Sequence, residues 1–126
     1  MKPILKGRII NFEPVIGAAI YEGRLALGEE DFILTVDTGF SGAIALPQSI
    51  LEKMDLEFTG YDVFSLATGQ IVELPVFTGQ VLIGGRVFET WFIPGEYLVG
   101  MEFLSTIAKQ LSLDFERASV EIALRV

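Results

Sequence analysis

The chain has 126 residues, which suits one folded domain, and 51% of them are apolar. Its net charge of −8 argues against nucleic acid and anionic membrane surfaces as partners, because both are bound by clustered Lys and Arg. The lack of Cys and His excludes disulfides, thiolate nucleophiles, Ser-His-Asp triads and imidazole zinc sites. Any acid–base chemistry near neutral pH must therefore come from carboxylates, Lys, Tyr or a bound ion.

Strands separated by tight turns are predicted for the first part of the chain. Two are expected at Ile4–Ile10 and Val15–Tyr21, and a third at Phe32–Val36, whose nearly unbroken apolar run is typical of a strand covered on both faces. A short strand at Ala43–Leu46 precedes a helix at Pro47–Met54, since Pro is tolerated in the first helical turn. No long apolar run follows the N-terminus, so neither a signal peptide nor a transmembrane helix is expected. A cytoplasmic location is therefore predicted.

Two hairpins, a helix and closing strands are predicted for the rest. The first hairpin joins Asp62–Leu66 to Ile71–Phe77 around Gly69, and the second joins Gln80–Ile83 to Val87–Ile93. The remaining elements are a strand, a helix and two further strands: Tyr97–Val99, Met101–Gln110, Leu111–Phe115 and Val120–Leu124. This pattern predicts an all-β fold, a small closed β-barrel with one or two short helices, as a single domain over residues 1–126.

The sharpest chemical feature is Asp37-Thr38-Gly39, which ends the third strand. An apolar strand places the carboxylate at the edge of a rigid core, and Gly39 gives backbone freedom and leaves space beside it. A structural alternative is that Asp37 only forms a turn, since Asp is common at such positions.

The segment Phe32–Gly42 resembles the active-site strand and loop of retropepsin-like aspartic peptidases, in which apolar residues lead into Asp-Thr/Ser-Gly. A second segment, Tyr97–Leu104, resembles the later strand of that family, in which two apolar residues and a Gly lead directly into a helix. The resemblance extends from about Val15 to Val126 and implies a barrel of the acid-protease type.

The resemblance implies a role for each residue of the motif. Asp37 corresponds to the catalytic aspartate, Thr38 to the residue that braces two such loops across a dimer, and Gly39 to the glycine that admits substrate. Ser41 continues this active-site loop. The positions implied to contact substrate are Phe40, where the family usually has a small residue, Thr68 and Gly69 in a flap at Ala67–Ile71, and the pocket walls Leu98 and Val99.

The chemistry requires two carboxylates. When two lie a few ångström apart they share one proton, so one serves as base towards a water and the other as acid. Asp37 is the only Asp followed by Thr-Gly or Ser-Gly, so a second copy of the chain must supply its partner. We therefore expect a homodimeric aspartic endopeptidase that hydrolyses polypeptides at acidic pH and needs no cofactor or metal.

Several interpretations stay open. The terminal strands Ile4–Ile10 and Val120–Val126 either pair between subunits, as in the family, or form ordinary edges of a sheet. Trp91 is interpreted as a core or interface residue rather than a functional one. Two other functions are a non-catalytic peptide-binding module with the same fold, and a structural dimer in which Asp37 accepts backbone hydrogen bonds at a turn.

Overall fold

The computed structural model describes residues 4–66 and 68–125, in which eleven strands and two short helices occur. The strands are β1 (Ile4–Ile10), β2 (Glu13–Tyr21), β3 (Arg24–Leu27), β4 (Phe32–Val36), β5 (Ile44–Leu46), β6 (Glu57–Ser65), β7 (Ile71–Ile83), β8 (Arg86–Pro94), β9 (Leu98–Val99), β10 (Ala108–Asp114) and β11 (Ser119–Leu124). The helices are α1 (Gln48–Leu51) and α2 (Met101–Ile107). Neither helix in these two ranges has the length and apolar character needed to cross a membrane.

The strands are hydrogen bonded into one mixed sheet, which confirms the predicted all-β class. Its order is β10-β11-β1-β2-β3-β7-β8-β5-β9-β4, and β6 extends it as the hairpin partner of β7. Strand β2 also pairs with β4, so Ala18 lies opposite Leu27 on one side and Phe32 on the other. Most pairs are antiparallel, whereas β3–β7, β4–β9 and β5–β8 are parallel.

The core is a cluster of apolar side chains to which both helices and most strands contribute. Leu34 and Val36 of β4, Ile44 of β5 and Phe92 of β8 are buried in it. Burial of each such side chain contributes roughly 1.5–3 kcal/mol. Over the described ranges every buried side chain is apolar, so the polar groups of the candidate site lie at the surface of this core.

Several predicted elements are confirmed by the structure. The first strand and the apolar strand Phe32–Val36 have the predicted bounds. The prediction that the latter is covered on both faces is wrong, because Leu34 and Val36 are buried whereas Ile33 on the other face is 39% exposed. Helix α1 is shorter than predicted, but turns continue it to Met54 and its predicted apolar face packs on the core. Pro47 directly precedes the helix, as expected for a residue whose fixed φ suits that position.

The two predicted hairpins share one long strand. Ile71–Phe77 and Gln80–Ile83, predicted as separate strands, are both parts of β7. Strand β7 has 13 residues, and it pairs with β6 along its first half and with β8 along its second. Gly79 is in the middle of the strand because the chain is crowded there: a Cβ on it would lie 2.5 Å from Leu56 Cδ2. The glycine therefore marks a close approach rather than a turn.

Helix α2 ends at Ile107, three residues before the predicted end at Gln110. Arg125 fixes this end: its backbone N–H donates to the Ile107 carbonyl, and its guanidinium donates to the carbonyls of Ser105 and Ala108. The chain then enters β10, which pairs with β11 from Ala108 onward. Strand β3 and the start of β6 at Glu57 were not predicted from the sequence.

The described parts of the terminal strands pair with each other within one chain. Ile4–Arg8 of β1 lies antiparallel to Ser119–Ala123 of β11. Each of these strands has a second neighbour, β2 for β1 and β10 for β11. In the order of the sheet these strands are therefore inner strands and not edges, whereas over the described residues β10 and β6 each pair with one neighbour.

Strand β6 contains a β-bulge near the base of its hairpin with β7. Phe58 lies opposite Phe77 and Gly60 opposite Val76, so Thr59 is an extra residue on one strand. Gly60 has φ +133°, a conformation that favours glycine.

Candidate functional site

Asp37 directly follows β4, and its side chain is half-buried. Its backbone N–H donates to the Val99 carbonyl at 2.9 Å, which extends the parallel pairing of β4 with β9 by one residue. The residue before it, Val36, is buried. The apolar strand therefore fixes the position of the carboxylate through hydrogen bonds and core packing together.

Strand β9 lies between the two strands that flank Asp37. Leu98 and Val99 pair in parallel with β4 on one side, and antiparallel with Ile44 and Ala45 of β5 on the other. Residues 37–43, here called the Asp37 loop, therefore leave and return on opposite sides of the same short strand. Both ends of the loop are held by one element of the core.

The first residues of helix α2 close over the Asp37 loop. The N–H of Gly100 donates to the Ala43 carbonyl at 2.7 Å, and those of Met101 and Glu102 donate to the carbonyls of Phe40 and Gly42 at 2.8 and 3.1 Å. The first N–H groups of a helix have no partner within the helix. The loop carbonyls satisfy them, so loop and helix stabilise each other.

The Asp37 carboxylate accepts a hydrogen bond from within its own loop. The Gly39 N–H donates to Oδ1 at 2.9 Å, and the Phe40 N–H donates to the Asp37 carbonyl at 3.1 Å. In residues 4–66 and 68–125 the one ion pair joins Arg117 to Asp114, so Asp37 has no cationic partner there. The backbone N–H of Gly39 therefore orients the carboxylate, and no ion pair with a Lys or Arg side chain of the described residues does so.

An open pocket of about 870 Å³, here called the Asp37 pocket, lies beside this carboxylate. Its wall combines carboxylates with apolar side chains, among them Asp37, Thr38, Leu98, Glu13, Glu96, and Leu111 and Leu113 of β10. The pocket thus joins carboxylates to apolar surface beside a strand at the edge of the sheet. This arrangement suits an apolar chain segment that brings a polar group to Asp37.

The structure brings some of the predicted site residues together and separates others. Asp37, Thr38 and Leu98 share the pocket, and Gly39 is hydrogen bonded to the carboxylate. Val99, expected as a pocket wall, is completely buried and supports the site from below.

Two residues of the predicted loop do not line the Asp37 pocket as the structure has it. Ser41 is exposed on the Asp37 loop. The Phe40 ring packs over Gly42 and Gly100 instead of lining the pocket, since a Cβ on either glycine would lie within 2.7 Å of ring atoms. Phe40 therefore supports the loop, where the sequence analysis expected it to contact substrate.

The predicted flap corresponds to the tip of the hairpin β6–β7. The Leu66 N–H donates to the Gln70 carbonyl at 2.8 Å, and Gly69 turns the chain with φ +85°. Thr68 and Gly69 are exposed and do not line the Asp37 pocket, whereas Ala67 lies outside the described residues. The hairpin presents exposed apolar side chains near this tip, including Val63 and Ile71, which are 59% and 70% exposed.

Sequence reasoning missed a group of side chains that surrounds the Asp37 loop. Trp91 of β8 donates from Nε1 to Glu102 Oε1 at 2.6 Å and lies with its ring 6.0 Å from that of Phe64. These residues are far apart in sequence, and only the glycines at 42 and 100, which leave room for a large ring, hint at the arrangement.

No family model, curated protein or solved structure matches the chain. Its function is therefore inferred from its residues and their geometry.

Proposed function

We propose that the chain is one subunit of a homodimeric, retropepsin-like aspartic endopeptidase that hydrolyses polypeptide substrates through paired Asp37 carboxylates. The observation that carries the proposal is the position of Asp37. The half-buried Asp37 stands at the end of β4, whose residues Leu34 and Val36 are buried, and it lines an open pocket. Hydrogen bonds tie it to β9 and its loop to α2. Such rigid positioning is what acid–base catalysis by a carboxylate requires.

The sheet supports a barrel of the acid-protease type. Each strand in the series β2, β3, β7, β8, β5, β9 and β4 pairs with the next, and β4 pairs again with β2. A series that returns to its first strand is the hydrogen-bond pattern of a closed barrel. The Asp37 loop then lies at one end of this barrel, between two of its strands.

Strand β10, at one edge of the sheet, supports a specific mode of dimerisation. Within the described residues β10 pairs with β11 alone, so the backbone groups along its other edge have no strand partner. Such an edge is a template for pairing with another chain, and a twofold axis beside it would join two sheets into one. Because Leu111 and Leu113 of β10 also line the Asp37 pocket, this contact would bring the two pockets together.

The proposed reaction uses the two Asp37 carboxyls, which share one proton, and a water molecule. The ionised carboxylate accepts a proton from the water, whose oxygen attacks the carbonyl carbon of the scissile peptide bond. The protonated carboxyl of the other copy donates its proton to the carbonyl oxygen. The first carboxyl then gives the proton it took from the water to the amide nitrogen, and a hydroxyl of the tetrahedral intermediate gives its proton to the second carboxylate. The C–N bond breaks as the C=O bond forms again, which releases an amine and a carboxylic acid and returns the pair to its starting state.

The test of this function is cleavage of an unbiased peptide library at acidic pH by the wild-type chain and by Asp37→Asn. We expect the variant to lose activity by about a hundredfold or more, because an amide can neither accept nor supply the transferred proton. Asp31→Asn, in a solvent-exposed turn, is the matched control and should cleave normally. Sedimentation should show the same dimer for all three proteins.

The outcome decides between this proposal and its alternatives. Unchanged cleavage by Asp37→Asn would show that another group performs the hydrolysis. If the wild-type chain binds library peptides and leaves them intact, the chain is a peptide-binding module. If Asp37→Ala is less stable than the wild-type chain and neither protein binds or cleaves peptides, the role of Asp37 is to stabilise the turn.

A further inference from the structure

Trp91, the single tryptophan of the chain, contacts three parts of the molecule: helix α2, the hairpin β6–β7 and the Asp37 loop. Its indole N–H donates to the Glu102 carboxylate of α2 at 2.6 Å. Its ring lies 6.0 Å from that of Phe64 in a tilted arrangement, a favourable geometry for aromatic pairs. Phe64 belongs to the hairpin β6–β7 and lies opposite Val72, one pair before the last pair at the tip.

The same indole meets the Asp37 loop at Gly42, beside Phe40. A Cβ on Gly42 would lie 2.5 Å from Phe40 Cζ and 2.9 Å from Trp91 Cη2, so both rings lie close to this glycine. Phe40 is also anchored by its backbone, since its carbonyl accepts the Met101 N–H at 2.8 Å. Phe40, Trp91 and Phe64, here called the aromatic bridge, therefore connect the loop that carries Asp37 to the hairpin.

The polar contact of Trp91 distinguishes it from a residue that only fills space. A hydrogen bond from an N–H to a carboxylate is charge-assisted, and it fixes the rotation of the ring as well as its position. Phe88, in the same strand, packs on α2 with its ring 6.4 Å from that of Phe103. Strand and helix are thus already joined by an apolar contact, and the Trp91–Glu102 bond specifically orients the indole between loop and hairpin.

We infer that Trp91, oriented by Glu102, is a positioning residue that couples the hairpin β6–β7 to the Asp37 loop. The inference rests on the proposed function, in which the hairpin covers a polypeptide held near Asp37. Trp91 takes no part in proton transfer. It packs against Phe64 of the hairpin, and it lies close to Gly42 and Phe40 of the loop. Its loss should therefore weaken substrate binding more than it slows the chemical step.

Kinetics of four variants test the effect on the reaction. Trp91→Phe keeps an aromatic ring without the N–H, Glu102→Leu removes the acceptor, Glu102→Gln restores one, and Phe88→Leu is the control in the same strand. We expect the first two to raise KM for a cleaved library peptide by about fivefold, the effect of losing one such bond, with kcat changed by less than about twofold. Glu102→Gln and Phe88→Leu should keep the wild-type KM.

Hydrogen exchange of the protein alone gives a readout that does not depend on activity. In Trp91→Phe and Glu102→Leu, amides of the hairpin at 57–65 and 71–76 should exchange about fivefold faster, while those of β1 and β11 keep their wild-type rates. Trp91 fluorescence gives a second signal: Phe64→Leu should shift its emission to longer wavelength and increase quenching by acrylamide, because the indole loses its cover.

The results separate this inference from the function on which it rests. If hairpin exchange is unchanged, or increases equally throughout the molecule, the coupling is wrong even when Asp37→Asn has confirmed the peptidase. A fall in kcat at constant KM would also overturn it. If the wild-type chain cleaves nothing, the proposed function fails, and the exchange rates alone decide whether Trp91 holds the hairpin.

Discussion

Two glycines determine how closely the Asp37 loop approaches its surroundings. Gly42 lies beneath the rings of Phe40 and Trp91, and Gly100 lies against Phe40 and the Gly42 carbonyl. Neither has a φ in the left-handed region, so it is space and not backbone conformation that requires glycine. The Phe40 ring therefore fits at this position because Gly42 and Gly100 have no side chains.

This fit predicts an energetic coupling between positions 42 and 40. Gly42→Ala should lower the free energy of unfolding by about 1–3 kcal/mol, the usual cost of overpacking. The same change in a Phe40→Ala background should cost less, because the added methyl group then meets only Trp91 Cη2, at 2.9 Å, and no longer the Phe40 ring. Denaturant unfolding of the four proteins in this cycle measures the coupling.

A matched control comes from another glycine. Gly85→Ala, in the turn between β7 and β8, meets no atom within 4 Å and should change stability by no more than about 0.5 kcal/mol. Equal losses from Gly42→Ala in both backgrounds would contradict the predicted packing.

At the scale of elements, the strand β10 combines an unpaired edge with a wall of the Asp37 pocket. The dimer proposed here buries its side chains Leu111 and Leu113. Leu113 is 39% exposed in the single chain, so a substitution there leaves the subunit core nearly intact.

Leu113→Lys should therefore dissociate the dimer and abolish cleavage without unfolding the subunit. The physical reason is that an unpaired ammonium group is costly to bury in an interface. Sedimentation and thermal unfolding measure the two effects separately. Val87→Lys, at an apolar position of β8 that is 52% exposed, is the control and should remain dimeric. A dimer that survives Leu113→Lys would place the interface elsewhere.

Local patterns predicted those elements whose identity depends on local signals. The nearly unbroken apolar run predicted the bounds of β4. Asp-Thr-Gly indicated Asp37 and Thr38, and the resemblance of Tyr97–Leu104 indicated Leu98, which shares a pocket with them. The continuity of β7 through Gly79 was not predicted, because it depends on the close approach of Leu56, which lies far away in sequence. The pairing of β1 with β11 and the contact of Trp91 with Glu102 join distant positions, and no local pattern encodes them.

At the scale of the whole molecule, the net charge of each copy opposes the assembly that the proposed reaction needs. Two chains of −8 repel each other at pH 7, and the repulsion falls towards the isoelectric point near 4.4. Added salt also screens charges that are more than about 10 Å apart at 0.1 M. Association and catalysis should therefore both be favoured by acidic conditions.

We predict that the dissociation constant of the dimer decreases when salt is added at pH 7. Specific activity should rise with protein concentration in the range where monomer and dimer coexist, because one chain supplies only one Asp37. Sedimentation equilibrium at two salt concentrations and dilution assays measure these effects. An activity per chain that stays constant on dilution into the monomer range would contradict the requirement for two copies.

The long strand β7 determines how the hairpin β6–β7 bends. Its backbone runs without interruption from the tip to the body of the molecule, while its partner carries a bulge at Thr59 and a glycine at position 60. The regular pairing of the hairpin is therefore interrupted in one strand and at one point only. A displacement of the tip must bend the continuous backbone of β7, so we expect the hairpin to return to its original conformation and not to rotate freely about the bulge.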